Sequence, residues 1–236
     1  MVIWGRNPIL EALRSGRLLE KIYAAHDTKL PRDLLELAKR TGVKVQRVSR
    51  AKVEELAGTK KTQGLVAIVS PVDYLPPHEL FKETIEKGSF FLALDHITDP
   101  QNVGNLLRTC EVLGGVGAIL PRERSSPINE TVVKTSSGAV FHLKFAKVSN
   151  LATALREFKK MGGWVFAIEK GGKDIREMEV VLPCALVLGS EDRGISPKLL
   201  ALADGVLSIP MRGKTGSLNV GCAGAISMWE TVRKAL

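Results

Sequence analysis

Hydrophobic residues recur along this chain in two patterns, short continuous runs and helical spacing. The continuous runs predict buried strands, over 65–69, 90–94, 116–120, 164–168, 184–188 and 206–209. Apolar positions at helical spacing, some with capping or stop residues, predict helices, over 102–113, 151–161, 197–203 and 220–234. Because strands and helices alternate after residue 89, we predict an α/β fold with a largely parallel sheet and helices on both faces.

The first 70 residues predict a separate small α/β domain. Its expected elements are helices over 8–13 and 31–40, strands over 21–25, 43–48 and 65–69, and a helix carrying Val53 and Leu56. Gly42 is placed to end the second helix, and Ser49 is placed to cap the third. Prolines 71, 76 and 77 then break the pattern. We therefore predict three regions: a domain over 1–70, a linker with a connecting helix over 71–88, and a larger domain over 89–236.

Positive charge is concentrated in the first of these regions. The whole chain has a formal net charge of +9, and residues 1–70 hold 14 Lys and Arg against 7 Asp and Glu. Such an excess is typical of a domain that binds nucleic acid, although a basic surface exposed to solvent remains an alternative. Aromatic residues make up only 5% of the chain, which argues against a platform that stacks bases.

Several classes of protein are disfavoured by what the sequence lacks. The longest apolar runs are about five residues, far short of the ~20 that span a membrane. The N-terminus turns polar at Gly5 and has no signal-peptide region. The three cysteines are isolated, and the four histidines lack metal-ligand spacing. We expect a cytoplasmic protein with no membrane partner, no metal and no disulfide framework.

Three polar loops carry the candidate chemistry, and each lies between a predicted strand and a predicted helix. They are DPQNVGNLLR over 99–108, LGSEDRG over 188–194 and IPMRGKTGSLNV over 209–220. In a parallel sheet such loops meet at the carboxyl edge, where ligands bind. Other readings fail on spacing: Ser208 stands where a Walker A loop needs glycine, and neither GxGxxG after an early strand nor GxSxG occurs.

Taken in order, these three loops resemble the SpoU (TrmH) family of RNA 2′-O-methyltransferases, within the SPOUT superfamily. The resemblance covers roughly residues 90–236. Residues 1–70 more weakly resemble the small RNA-binding domain that precedes the catalytic domain in many members, through GRNP over 5–8, EAL over 11–13 and QGLVA over 63–67.

The resemblance implies a C-terminal segment threaded into a trefoil knot, with S-adenosylmethionine held by the knot loops. Carried over by position, the cofactor-binding residues are Gly189, Ile209 and Leu218, with Met211 and Ser217 beside them. It also implies a homodimer, with the knot region and the helix over 220–234 at the interface.

The implied reaction transfers a methyl group to a ribose 2′-hydroxyl. In the family the arginine of the first motif, here Arg108, is the proposed base. Since guanidinium groups stay protonated in proteins, an RNA phosphate taking the proton while Arg108 orients it is the alternative. By the same resemblance Asn102 would hold Arg108, Glu191 would fix the loops, and Ser217 and Asn219 would orient the ribose. One departure from the family pattern is the charged pair at 192–193, where many members have glycine directly after the glutamate.

The sequence leaves the RNA target and two rival functions open. The extra N-terminal domain favours a guanosine of 23S rRNA, in the large subunit, as the target, while a guanosine of tRNA is the alternative. A non-catalytic RNA-binding protein on the same scaffold is the first rival function. A dinucleotide-dependent oxidoreductase, suggested by the α/β alternation alone, is the second.

Overall fold

The computed structural model describes residues 1–177 and 180–235, which divide into two compact units. The first contains Met1–Val72 and Ile128–His142, and the second contains Asp73–Pro127 and Leu143–Leu236. The sequence interpretation assigned 128–142 to the larger domain and 71–88 to a linker. The contacts instead group 128–142 with the N-terminal residues, and they group the chain from Asp73 onward with the larger unit.

The first unit is built on a mixed four-stranded sheet in the order β1-β4-β2-β3. Its strands are β1 (Val2–Trp4), β2 (Leu19–Ala25), β3 (Val45–Val48) and β4 (Leu65–Val69). Its helices are α1 (Arg6–Arg14), α2 (Arg32–Thr41), α3 (Arg50–Ala57) and α6 (Glu130–Thr135), followed by a 3₁₀ turn over Ala139–His142. The β2–β3 pair is parallel, and β4 runs antiparallel to β1 and β2.

Both predicted helix boundaries in this unit are confirmed. Ser49 accepts a hydrogen bond from the Lys52 amide and caps α3. Gly42 ends α2 with a left-handed φ of 73°, which glycine adopts without steric cost.

The segment 128–142 packs tightly on α1. A Cβ on Gly138 would lie 2.7 Å from the Glu11 Cβ and 3.0 Å from the Pro8 Cα, so only glycine fits there without displacement. Glu11 also pairs with the His142 Nε2 at 2.8 Å. These contacts explain why the segment belongs to the first unit, although it is distant from it in sequence.

The second unit contains a six-stranded sheet in the order β10-β8-β9-β5-β6-β7, and every neighbouring pair is parallel. Its strands are β5 (Phe90–Asp95), β6 (Gly117–Pro121), β7 (Lys144–Val148), β8 (Trp164–Asp174), β9 (Cys184–Gly189) and β10 (Gly205–Ser208). Its helices are α4 (Pro77–Glu86), α5 (Pro100–Val112), α7 (Leu151–Lys160), α8 (Pro197–Leu200) and α9 (Val220–Ala235). The predicted α/β fold with a parallel sheet is confirmed.

Helices cover both faces of this sheet because alternate strand residues point to opposite sides. On one face Phe91 of β5 packs against Phe81 of α4 and Phe158 of α7, with ring centroids 5.6 and 4.9 Å away. On the other face the Leu188 side chain of β9 lies beside α9, where a Cβ on Gly224 would be 3.2 Å from it. The α4 helix is therefore part of the core of the second unit, rather than a free connection.

Candidate active site

The three polar loops follow β5, β9 and β10, and two of those strands are direct neighbours in the sheet. In the β5–β9 register, Asp95 lies opposite Gly189, so the first two loops leave the sheet side by side. The sequence prediction that these loops share the carboxyl edge is therefore confirmed.

One side chain from each loop joins a hydrogen-bonded cluster, which we call the loop cluster: Asn102, Glu191 and Asn219. The Asn219 Nδ2 donates to the Asn102 Oδ1 at 2.8 Å and to the Glu191 Oε1 at 2.7 Å. The Asn102 Nδ2 donates to the same Glu191 oxygen at 3.1 Å. A single carboxylate oxygen thus gathers both amides and fixes the three loops against one another.

Two helices begin at this cluster, which anchors it to the scaffold. Asp99 caps α5 by accepting hydrogen bonds from the amides of Gln101 and Asn102. The Asn219 Oδ1 accepts from the Gly221 amide at 2.9 Å, at the start of α9. Asn219 therefore uses its oxygen to cap a helix and its nitrogen to join the loops.

A cavity of about 620 Å³ opens beside the cluster, within the 300–1,000 Å³ range of small-molecule sites. All five residues predicted to bind the cofactor line it, namely Gly189, Ile209, Met211, Ser217 and Leu218. Glu191 and Asn219 of the loop cluster line it as well. Its wall combines apolar side chains with carboxylates and hydroxyls, which suits a ligand with one apolar and one polar part.

The backbone along one side of this cavity is free to bind a ligand. Within the part of the chain that the structure describes, no backbone hydrogen bond uses an N–H or C=O group of residues 209–218. Residues 210–219 are all exposed. Since backbone polar groups normally have partners, this segment offers a row of donors and acceptors to solvent or to a bound molecule.

Gly189 lies where two backbone segments approach closely. A Cβ at this position would be 2.3 Å from the carbonyl carbon and oxygen of Gly194. The intervening residues form a tight turn, in which the Gly194 amide donates to the Ser190 carbonyl at 2.8 Å and Gly194 has a φ of +65°. The departure at 192–193 is thus accommodated within a turn and leaves Gly189 in the cavity wall.

Sequence reasoning missed Glu169 in this wall. Its Oε2 accepts a hydrogen bond from the Ile195 amide at 2.8 Å, and the residue lines the cavity. The prediction ended the strand at 168, whereas β8 continues to Asp174. The charged and glycine-rich residues after 168 hid this extension, because they break the apolar run.

The structure shows no hydrogen bond between the side chains of Asn102 and Arg108, and the role of Asn102 in holding Arg108 stays a prediction. The Asn102 side chain is committed to Glu191 and Asn219, while the Arg108 side chain is exposed and makes no hydrogen bond or ion pair within the described residues. The two residues are six positions apart on α5, which places them about 120° apart around the helix. Ser217 likewise lines the cavity without a hydrogen bond to any described residue.

Two negative findings complete the description of residues 1–177 and 180–235. None of their helices is long and apolar enough to cross a membrane. No group of three or more His, Cys, Asp or Glu side chains among them could hold a metal ion.

Comparison with known families assigns both units. The model of the SpoU rRNA Methylase family matches residues 89–229. A second model, described as RNA 2′-O ribose methyltransferase substrate binding, matches residues 2–75.

Individual relatives agree with these matches. A Bacillus subtilis protein, YacO, named as a TrmH family tRNA/rRNA methyltransferase, is 37% identical and covers 98% of this chain and 94% of its own length. The structure of an AdoMet-bound rRNA methyltransferase from Sinorhizobium meliloti matches with a TM-score of 0.82 and 25% identity, covering 100% of this chain and 87% of that one. A TrmH/SpoU tRNA modifying enzyme from A. aeolicus matches with a TM-score of 0.57 and 28% identity, over 68% of this chain and 84% of that one.

Proposed function

The chain belongs to the SpoU rRNA methylase family of RNA methyltransferases, and from that premise we propose that it transfers a methyl group from S-adenosylmethionine to a ribose 2′-hydroxyl of RNA. One observation carries the proposal. The second and third family motifs line a single cavity, and Asn102 of the first motif joins Glu191 and Asn219 in one hydrogen-bonded cluster at its edge.

The cavity fits S-adenosylmethionine in its chemistry. The adenine ring needs apolar walls, which Ile209 and Leu218 offer. The ribose and amino-acid groups need hydrogen-bond partners, which the free backbone of 209–218 offers. When bound, this cofactor supplies a methyl group made electrophilic by its sulfonium.

Since the electrophile comes from the cofactor, the residues of the chain position the cofactor and the RNA relative to each other. The loop cluster holds the walls of the cavity in place. Ser217, with its hydroxyl uncommitted, is placed to bind the cofactor or the ribose. Arg108 has a free guanidinium, which donates hydrogen bonds and accepts none. We assign it to orienting the RNA backbone beside the reacting hydroxyl.

We propose rRNA as the substrate, specifically a guanosine of 23S rRNA. The substrate-binding model matches residues 2–75, and the S. meliloti rRNA methyltransferase aligns with 100% of the chain. The tRNA modifying enzyme aligns with only 68% of it. The N-terminal unit is thus the feature that favours rRNA over tRNA.

We also propose that the chain acts as a homodimer through α9. Ile226 and Trp229 of this helix are 42% and 54% exposed, and Cys222 is exposed on the same side of the helix. Their spacing of four and three residues places them in one apolar stripe. The knot implied by the family resemblance stays a prediction.

The proposal is tested by incubating the protein with S-adenosylmethionine labelled in its methyl group. Unmodified 23S rRNA and unmodified bulk tRNA are compared side by side, and Arg108→Ala serves as the control. We expect label in 23S rRNA, recovered as a 2′-O-methylguanosine. Label in tRNA alone would show that the substrate is tRNA rather than rRNA. Label recovered on a base would refute the 2′-O assignment.

A non-catalytic RNA-binding protein would behave differently in the same experiment. It would bind RNA but leave both RNAs unlabelled, even with S-adenosylmethionine at saturating concentration. The loop cluster argues against this alternative, because binding RNA does not require residues of all three motifs to be joined beside a cavity for a small molecule.

A further inference from the structure

A second cavity of about 530 Å³ lies in the same unit, on the other side of the β5 end. It opens at the carboxyl ends of β5, β6 and β7, and the segment before and within α8 closes it. We call it the β6 pocket. Its polar wall consists of His96, Arg122, Glu123, Arg124, Asn150 and Lys198.

The side chains of three cations in this wall have no partner among the described residues. Arg122, Arg124 and Lys198 are all exposed, and none of their side chains makes a hydrogen bond or an ion pair within residues 1–177 and 180–235. Two carboxylates also line the pocket, the exposed Glu123 and the buried Asp95. Several other exposed cations are held in ion pairs, such as Arg233 with Glu230. A concave site that gathers three uncommitted cations is suited to an anion with several oxygens.

The loop that carries the arginines is fixed rather than free. The Arg122 amide donates to the Val148 carbonyl at 2.8 Å, and the Ser126 amide donates to the Ile97 carbonyl at 3.1 Å. Arg124, between these anchors, has a φ of +53°. Such a conformation is uncommon for a residue with a side chain, and here the two anchors impose it.

The opposite wall is equally fixed. The buried Asp95 carboxylate accepts a hydrogen bond from the Ser196 amide at 2.8 Å and contacts the His96 Nδ1 at 2.6 Å. His96 has a φ of +60°. Asp95 thereby ties the start of the first motif loop to the end of the second.

This wall places the β6 pocket next to the cofactor cavity. The segment 189–195 lines the cofactor cavity, and residues 196, 198 and 199 of the same stretch line the β6 pocket. A polyanion seated in the β6 pocket would therefore continue toward the loop cluster.

From this geometry we propose that the β6 pocket binds backbone phosphates of the RNA strand that carries the target nucleotide. The inference rests on the proposed function, because it takes RNA as the substrate. It assigns to Arg122, Arg124 and Lys198 the role of seating the strand beside the cofactor cavity.

The test replaces these three cations by glutamine together, R122Q/R124Q/K198Q. The matched control, R156Q/K160Q/K173Q, removes the same charge from exposed positions of the same unit that do not line the pocket. Thermal unfolding and S-adenosylmethionine affinity are measured for both variants. We expect neither to change, because the removed groups have no partner in the described fold.

RNA affinity is then measured by fluorescence anisotropy, with an unmodified 23S rRNA fragment over a range of salt concentrations. We expect the pocket variant to bind about tenfold more weakly and the slope of log K against log salt to fall by about 2, since each lost contact to single-stranded RNA removes ~0.7. In the transfer assay KM should rise while kcat stays near that of the unsubstituted protein. The control variant should change the slope of log K against log salt by less than half as much as the pocket variant does.

Other outcomes overturn the inference. Equal losses in the two variants would mean that only bulk charge matters. Unchanged RNA binding, together with saturable binding of inorganic phosphate at the pocket, would assign the site to a free small anion. If the unsubstituted protein binds RNA but transfers no methyl group, the proposed function fails, while the binding comparison still decides the role of the pocket.

Discussion

Asn219 is the residue whose replacement tests the loop cluster most directly. Its side chain makes four hydrogen bonds, two through Nδ2 to Asn102 and Glu191, and two through Oδ1 to the amides of Gly221 and Cys222. Asn219→Ala removes all four. The Val220 amide also donates to the Glu191 Oε1 at 3.3 Å, so the variant removes the side-chain bonds from Asn219 to the other two loops and leaves this one backbone bond.

The expected loss of stability follows from these bonds. An asparagine cap contributes ~1 kcal/mol, and two side-chain hydrogen bonds at an exposed site contribute ~0.5 kcal/mol each. The sum, ~2 kcal/mol, corresponds to a fall in Tm of roughly 4–8 °C for a unit of this size. If the two loop bonds also preorganise the cavity, their ~1 kcal/mol should lower affinity for S-adenosylmethionine by about fivefold.

Two further variants separate the cap from the loop bonds. Asn219→Asp keeps an oxygen to cap α9 but directs a carboxylate toward Glu191, so cofactor affinity should fall at least as far while Tm falls less. Asn150→Ala removes a cap of the same kind, which accepts from the Thr153 amide at 3.0 Å. It should lower Tm by roughly 2–4 °C and leave cofactor affinity unchanged.

The assays are differential scanning calorimetry and isothermal titration calorimetry with S-adenosylmethionine. The reasoning is refuted if Asn219→Ala binds the cofactor as tightly as the unsubstituted chain. It is also refuted if Asn150→Ala and Asn219→Ala weaken cofactor binding equally, because the effect would then come from general destabilisation.

Four other predictions follow from the described contacts. Arg108→Ala should lower transfer at least ~10²-fold without changing Tm or cofactor affinity, as single-turnover assays and calorimetry would show; normal turnover would remove the residue from the mechanism. Gly189→Ala should weaken cofactor binding and lower Tm, because its Cβ meets backbone, whereas Gly213→Ala, with open space around it, should leave Tm unchanged. Trp229→Glu should convert a dimer to a monomer in sedimentation equilibrium, and a dimer that persists would place the interface elsewhere. Burial raises the pKa of Glu83, but its two lysine partners outweigh burial and leave that pKa lowered. The stabilising effect of Glu83 is therefore present above its unfolded pKa and is lost as pH falls through the folded value. Glu83→Gln should flatten the dependence of Tm on pH below about 4.5.

The elements with strong local patterns could be predicted from the sequence. The strand over 65–69 and the buried strands β5 and β9 have continuous apolar runs, and their predicted limits agree with the structure to within one residue. The short elements could not be predicted in this way. β1 has three residues, and β7 has five, with two lysines that interrupt its apolar residues without alternating with them, so neither has enough periodicity to separate it from a loop.

The side chains lining the cofactor cavity were predicted, but their mutual contacts were not. Gly189, Ile209 and Leu218 were assigned by position in motifs, and all three line the cavity. Which side chains pair depends on helix phase and on loops distant in sequence. Asn102 therefore contacts Glu191, 89 positions away, rather than Arg108 on the same helix.

The segment 209–218 shows why the loop cluster should control cofactor affinity. Its backbone groups have no partner within the described residues, so in the free protein they are hydrogen-bonded to water, and a ligand gains only the difference between its bonds and those of water. That difference is small for each bond, and it is lost if binding must also order the segment. β10 holds one end at Ser208, and Asn219 holds the other through Glu191 and the start of α9. The affinity of the cavity thus depends on one anchor at each end of the segment, and the one that a single substitution can weaken is Asn219.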